Sequence, residues 1–259
     1  DTGADPADPS DDAFRFFGQP GAAGRGLPGT VVTSVVEDRE GLIWIGTTTG
    51  LAFMINTGIV AREESNIPSW PLWADRSRGT FVLFGLRVND LAVDPANRLW
   101  VATDAGAWLI EAVPEGGYDL VTHLSTDNTP LFSNNILAVT VDERTGEVFL
   151  ATDRGLLSYQ GDAIAPAERA SELFVYPNPV QLSGGETADI FIEGLVEETE
   201  LRILSANGTV VARISTRGGR ARWDGRDLTG APVPSGVYLV VAVGQRGEGT
   251  AYGKVAVIR

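Results

Sequence analysis

Apolar and polar residues alternate in short stretches along most of the chain, and the stretches repeat. One copy reads Val35-Val36-Glu37-Asp38, a polar turn to Gly41, the run Leu42-Ile43-Trp44-Ile45-Gly46-Thr47, and Gly50-Leu51. A second reads Leu91-Ala92-Val93-Asp94, a turn through Asn97, Leu99-Trp100-Val101-Ala102-Thr103, and Gly106-Ala107. A third reads Val139-Thr140-Val141-Asp142, a turn one residue longer, Val148-Phe149-Leu150-Ala151-Thr152, and Gly155-Leu156. Short alternating runs bounded by Gly, Asn and Asp predict strands joined by hairpins, because those turn residues tolerate the backbone angles a hairpin needs. The extra residue in the third copy predicts a different turn there. Units of roughly 50 residues built from short strands are the mark of propeller blades. The outlying runs Phe14–Phe17, Thr80–Phe84 and Tyr118–Leu124 precede the three copies and are expected to make each a four-stranded blade. Gly46, Ala102 and Ala151 follow the aromatic by two positions and share its face, small enough to let neighbouring blades approach.

From residue 173 the pattern changes. Strands are expected near 173–176, 188–193, 199–205, 209–216, 219–223, 235–243 and 251–258, with Asn207-Gly208 as a hairpin turn. Seven short strands in this span predict a β-sandwich. The fold class is therefore all-β: a partial β-propeller of about three four-stranded blades, then a seven-stranded Ig-like β-sandwich. The expected organisation is a disordered linker over 1–12, the last blades of a propeller over 13–161, a linker over 162–172 and the sandwich over 173–259. Propellers close with about four to eight blades, so three blades are expected to be the last part of a longer ring. Asp1 in place of Met reads as a processed protein or a piece of a longer one.

Composition narrows the chemistry. A net charge of −14 argues against nucleic acid, which is held by clustered Lys and Arg. There is no cysteine, which excludes disulfides, thiolate metal sites and cysteine nucleophiles. No apolar run is long enough to span a membrane as a helix, and no cofactor is implied.

Candidate sites are few. The acidic stretch Asp1, Asp5, Asp8, Asp11, Asp12 matches no calcium-loop spacing. His123 is the only histidine, a poor metal site alone, and Ser125, His123 and Asp127 lie too close on one run to converge as a triad. Asp224 and Asp227 beside Trp223 read as turn and cap rather than an acid pair, and Glu197, Glu198 and Glu200 as a solvated turn. The insertion 61–78 carries Trp70-Pro71-Leu72-Trp73. Trp70 and Trp73 form a candidate surface-binding loop for a sugar, lipid or protein, against the plainer reading that both rings pack on the blade rim.

The Asp-x-x-Gly-x-ϕ-Trp-ϕ-Gly-Thr core, with ϕ apolar, resembles the two-component-regulator type of propeller repeat. Tyr176-Pro177-Asn178-Pro179, Asn207-Gly208, Ser235-Gly236-Val237-Tyr238 and the Lys254 strand resemble type IX secretion sorting domains, and Trp223-Asp224-Gly225-Arg226 resembles an Ig-like domain of FlgD-type proteins. Together with Leu124–Asn135, Thr145–Phe149, Thr152–Gly155, Val88–Asp94 and Asn97–Trp100, these motifs resemble the PorZ family from about residue 27 onward. The resemblance implies a non-enzymatic, exported component on the outer face of an outer membrane. It also implies the sortase PorU and the barrel protein PorV as partners, lipopolysaccharide as a ligand, and retention of the C-terminal domain. On it, Tyr176, Pro177, Asn178, Pro179, Gly236, Tyr238 and Lys254 are the candidate sorting or docking residues. The alternatives are a secreted cargo with a cleavable C-terminal signal, the sensor half of a hybrid two-component regulator, and an enzyme whose carboxylates converge from different blades.

Overall fold

The computed structural model describes residues 13–17, 24–58, 66–181 and 188–259. Among these, strands make nearly all of the regular structure, and the one helical element is the three-residue turn Arg76–Arg78. The chain divides into two units. The first is Asp1–Val93, Asn97–Val141 and Val148–Tyr159, and the second is Asp94–Ala96, Asp142–Glu147 and Gln160–Arg259.

The three sequence copies become three sheets. The first joins β1 (Val32–Glu37), β2 (Leu42–Thr47) and β3 (Gly50–Ile55) in that order. The second joins β4 (Val88–Val93), β5 (Leu99–Thr103), β6 (Gly106–Ala112) and β7 (Tyr118–Leu124). The third joins β8 (Ile136–Asp142), β9 (Glu147–Thr152) and β10 (Gly155–Gln160).

The repeated residues each have a mechanical role. Asp38 Oδ1 accepts the backbone N–H of Glu40 and of Leu42, and Oδ2 accepts the indole N–H of Trp44 at 2.9 Å. One carboxylate thus closes the turn and anchors the buried ring. The third copy has Phe149, with no N–H, and there Asp142 Oδ2 takes the Arg144 guanidinium instead. Thr47, Thr103 and Thr152 each donate to the carbonyl of the glycine three residues on and accept the intervening backbone N–H. The turn bond is Gly41 N to Asp38 O in the first copy and Gly146 N to Asp142 O in the third, so the extra residue does change the turn. A Cβ on Gly46 would lie 2.7 Å from Val88 Cγ1, which bears out the need for a small residue where two sheets meet.

Asp38→Ala should leave the Trp44 N–H buried without a partner, at a cost of about 1–3 kcal/mol. Thermal unfolding of Asp38→Ala against Asp142→Ala tests this: the first should fall well below the second, whose partners are exposed.

Only the middle sheet is four-stranded among the described residues, which corrects the expectation of three four-stranded blades. Tyr118–Leu124, read as the outer run of the third copy, instead pairs antiparallel with β6, from Ala112↔Tyr118 to Ala107↔Leu124. The turn at Val113–Gly117 closes this hairpin locally, and a short loop costs less entropy than a crossing to the next sheet. Phe14–Phe17 and Thr80–Phe84 form no strand. The latter is held by a single bridge, Leu72↔Phe81, and buries Val82 and Leu83.

Among its described residues the second unit has eight strands: β11 (Phe174–Tyr176), β12 (Val180–Gln181), β13 (Ile190–Glu193), β14 (Glu198–Leu204), β15 (Val210–Arg217), β16 (Arg220–Trp223), β17 (Gly236–Gly244) and β18 (Thr250–Ile258). They form two sheets, β11-β13-β16 and β12-β18-β17-β14-β15. Both send side chains into one core, Ile190, Ile192 and Trp223 from the smaller and Leu201, Ile203, Val240 and Val255 from the larger. Seven strands fall within two residues of their expected places. The eighth, β12, has two residues and runs parallel to β18, too short to carry a sequence pattern. Glu198 and Glu200 belong to β14 rather than to a solvated turn, and each is paired with arginines. The Arg202 guanidinium, as hydrogen-bond donor, holds the Glu200 carboxyl below its usual range.

Candidate docking site

The Tyr-Pro-Asn-Pro motif links β11 to β12, and both of its X-Pro peptides are cis. Asn178 is its working residue. Its Nδ2 donates to Lys254 O at 2.8 Å and its Oδ1 accepts from Ala256 N at 3.1 Å. A side-chain amide carries the same donor and acceptor as a peptide group, so Asn178 continues along β18 the ladder that β12 makes with Val257 and Ile258. Pro177 and Pro179 have no N–H to offer that ladder. Tyr176 is part-exposed, tilts against Phe191 and donates its hydroxyl to Glu193, which also binds Arg220. Burial, and then the Glu193 bond, raises the Tyr176 phenol pKa.

The other motif residues divide by role. Tyr238 is buried, meets Trp223 edge-on at 5.7 Å, and donates its hydroxyl to Pro234 O at 2.8 Å. That bond, back to a carbonyl a few residues upstream, pins the entry to β17. Gly236 is exposed and a Cβ there would meet nothing closer than 3.8 Å, so the fold places no steric demand on it. Lys254 is exposed, lies directly across from Leu239, and makes no ion pair among the described residues. The structure therefore brings Asn178 and Lys254 together on β18, leaves Tyr176 on the smaller sheet with Phe191 and Glu193, and puts Tyr238 inside the core.

Trp70 and Trp73 do not form an exposed aromatic loop. Trp73 is only 4% exposed, within the core between the first two sheets. Trp70 is half-buried, stacks on Phe84 at 5.0 Å and donates its indole N–H to Gly26 O. Residues 61–65 of that insertion, and the acidic residues within 1–12, lie outside the described residues. His123 stacks on Trp108 at 3.6 Å, with Nε2 2.8 Å from Ala105 O, which assigns the ring proton to Nε2 as donor. Ser125 is engaged with Asn128 and the Asp127 backbone, so no triad assembles. Asp224 and Asp227 accept backbone N–H groups of their own loop, as a turn and a cap do. No group of three His, Cys, Asp or Glu among the described residues is arranged to hold a metal.

A small cleft of about 30 Å³ lies between the first two sheets beside Asp38, Asn97 and Tyr118. It has room for one or two waters, far less than a sugar needs. Burial, with the charges of Asp38 and Glu40, pushes the Tyr118 phenol up to about 12, so it stays protonated at neutral pH.

One feature escaped the sequence reading. Residues 162–172, expected as a linker, belong to the second unit and are bonded to its other segments. Gly219 N donates to Ile164 O at 2.8 Å, Ala167 N to Leu195 O at 2.8 Å and Ala170 N to Glu248 O at 3.1 Å. A Cβ on Gly219 would lie 2.2 Å from Ala165 O, and one on Gly194 2.2 Å from Glu172 O. The two glycines leave the space that the strap occupies.

No helix among the described residues is long and apolar enough to cross a membrane. Residues 26–49 match the family described as two component regulator propeller. Over 87 residues, 33% of this chain and 6% of the other, the chain is 34% identical to histidine kinase P4 of Formosa agariphila. The whole chain superposes on PorZ of Porphyromonas gingivalis, described as an essential bacterial surface component of the type-IX secretion system, with a TM-score of 0.69 and 25% identity. The chain spans 34% of that PorZ chain, about a third of its length, and what it is similar to is therefore a repeat family in its first unit and a portion of PorZ from end to end.

Proposed function

We propose that the chain is part of a non-enzymatic surface component of a type IX secretion system. The first unit is the last part of a propeller that acts as a binding platform, with lipopolysaccharide as its ligand. The second unit, 173–259, is an Ig-like sandwich of sorting type that docks on the secretion and attachment proteins, the sortase PorU and the barrel protein PorV. The protein acts at the outer face of the outer membrane. The observation that carries this reading is the likeness to PorZ over both units of the chain at once.

The strap separates this role from that of a secreted cargo with a removable signal. A protease needs several residues of extended, unbonded backbone, and cleavage concentrates where backbone is exposed and unpaired. Here the segment before the sandwich is tied down by backbone hydrogen bonds at Ile164, Ala167 and Ala170, which favours a domain that is kept.

Antibodies to the first unit and to residues 173–259 test this on the surface of the native cells. Both should detect one species of one mass. A first unit found alone, shortened by the sandwich or carrying a heterogeneous glycolipid, makes the protein a cargo and overturns the proposal.

A further inference from the structure

We infer that the outer face of the five-stranded sheet is the docking surface for a protein partner that presents apolar side chains around a carboxylate placed opposite Lys254. The register puts Val237, Leu239 and Val241 of β17 on this face, beside Tyr252, Ala256 and Ile258 of β18. Val237 is 55% exposed, Leu239 37%, Tyr252 62% and Ile258 46%. A solvated sheet face is normally polar while its other face packs in the core. Here β17 is apolar on both faces, with Tyr238, Val240 and Ala242 turned inward. A contiguous apolar patch of this kind marks an interaction site.

Lys254 lies within the patch, opposite Leu239 and two residues from both Tyr252 and Ala256. It is the only lysine in the sequence, whose other basic residues are arginines. The acids on the same face, Glu198 and Glu200, sit on β14 and are held by Arg217 and Arg246 and by Arg202 and Arg213. The Lys254 ammonium thus has no counter-charge among the described residues, and a partner that covers it must supply one. A second copy fits poorly, because a two-fold interface would bring a like-charged lysine to the same patch on a chain of net charge −14. An anionic lipid surface fits poorly too, since it is held by clusters of basic residues and not by one.

The inference rests on the reading of this unit as a docking domain and names the partner's chemistry. The test is zero-length carbodiimide cross-linking of the intact protein in its native envelope, followed by peptide mass spectrometry. Lys254 is the one lysine of these 259 residues, so the cross-linked peptide identifies it directly. The expected product joins Lys254 to an Asp or Glu of another protein whose neighbouring residues are apolar. Lys254→Arg should lose the cross-link yet keep co-purification of that protein. Leu239→Glu should lose both, weakening association at least about tenfold, with an unchanged melting temperature. If Leu239→Glu unfolds the protein, Tyr252→Ser at the more exposed position takes its place. A link from Lys254 to a second copy, full reactivity of Lys254 toward an amine label in the assembled envelope, or association that survives the face variants would each overturn the inference. If the captured protein has no part in secretion, the docking face stands and the type IX role falls.

Discussion

Trp223→Ala should cost the second unit about 3–5 kcal/mol, on the scale of the whole stability of a domain this size. Trp223 is 2% exposed, meets Tyr238 edge-on, and donates its indole N–H to Arg226 O at 2.9 Å. Truncation removes the largest side chain of that core, leaves a cavity between the two sheets, and frees the loop that Asp224 and Asp227 hold. Trp223→Phe keeps most of the volume and loses mainly the hydrogen bond, so its cost should be nearer 1–2 kcal/mol. Hydrogen exchange resolved by peptide gives the measurement: protection across β13, β14 and β17 should collapse in the alanine variant, while β2, β5 and β9 keep theirs. Equal loss in both units would mean that they unfold as one.

The second large effect is expected from Gly219→Ala, and it bears on function directly. The new methyl would overlap Ala165 O, a backbone atom that no rotamer change can move aside. The strap must lift or β16 must shift, at about 1–3 kcal/mol, and the lifted form becomes the substrate for proteases. If cleavage follows the open population, 2 kcal/mol raises the cutting rate within 161–172 roughly 30-fold. Gly236→Ala is the control, since nothing lies near its Cβ and its stability and cutting rate should not change. Limited proteolysis with mass readout separates the outcomes. If Gly219→Ala and the native protein are cut alike within the strap, the segment is accessible already, and the argument for a retained domain fails.

Much of this fold was legible in the sequence because its signals are local. The Asp, Trp and Thr of each copy act within a few residues of one another, as the Asp38 to Trp44 and Thr47 to Gly50 bonds do, so their spacing is itself the evidence for the hairpins. Alternation located seven of the eight strands described in the second unit for the same reason. Tyr238 was singled out by a motif resemblance, and the structure gives it the role of filling the core.

Tertiary structure decided what depends on contacts distant in sequence. Tyr118–Leu124 has the pattern of a strand, but only pairing energy and loop length choose its neighbour, and they choose β6. Trp70 and Trp73 look alike in sequence, and the packing of distant residues buries one and half-covers the other. Asn178 and Lys254 lie 76 residues apart, and the bond between them exists only because β12 is folded against β18. The strap over Gly194 and Gly219 reads as a linker, since its partners are backbone atoms and the signal is the absence of two side chains. The sequence by itself determined most of the strands and their hairpin turns, whose causes lie within a few residues, but not β12 or the fate of Phe14–Phe17 and Thr80–Phe84. Folding determined the neighbours of each strand, the place of the strap and the exposed face around Lys254, because each is a property of chain segments that meet only in three dimensions.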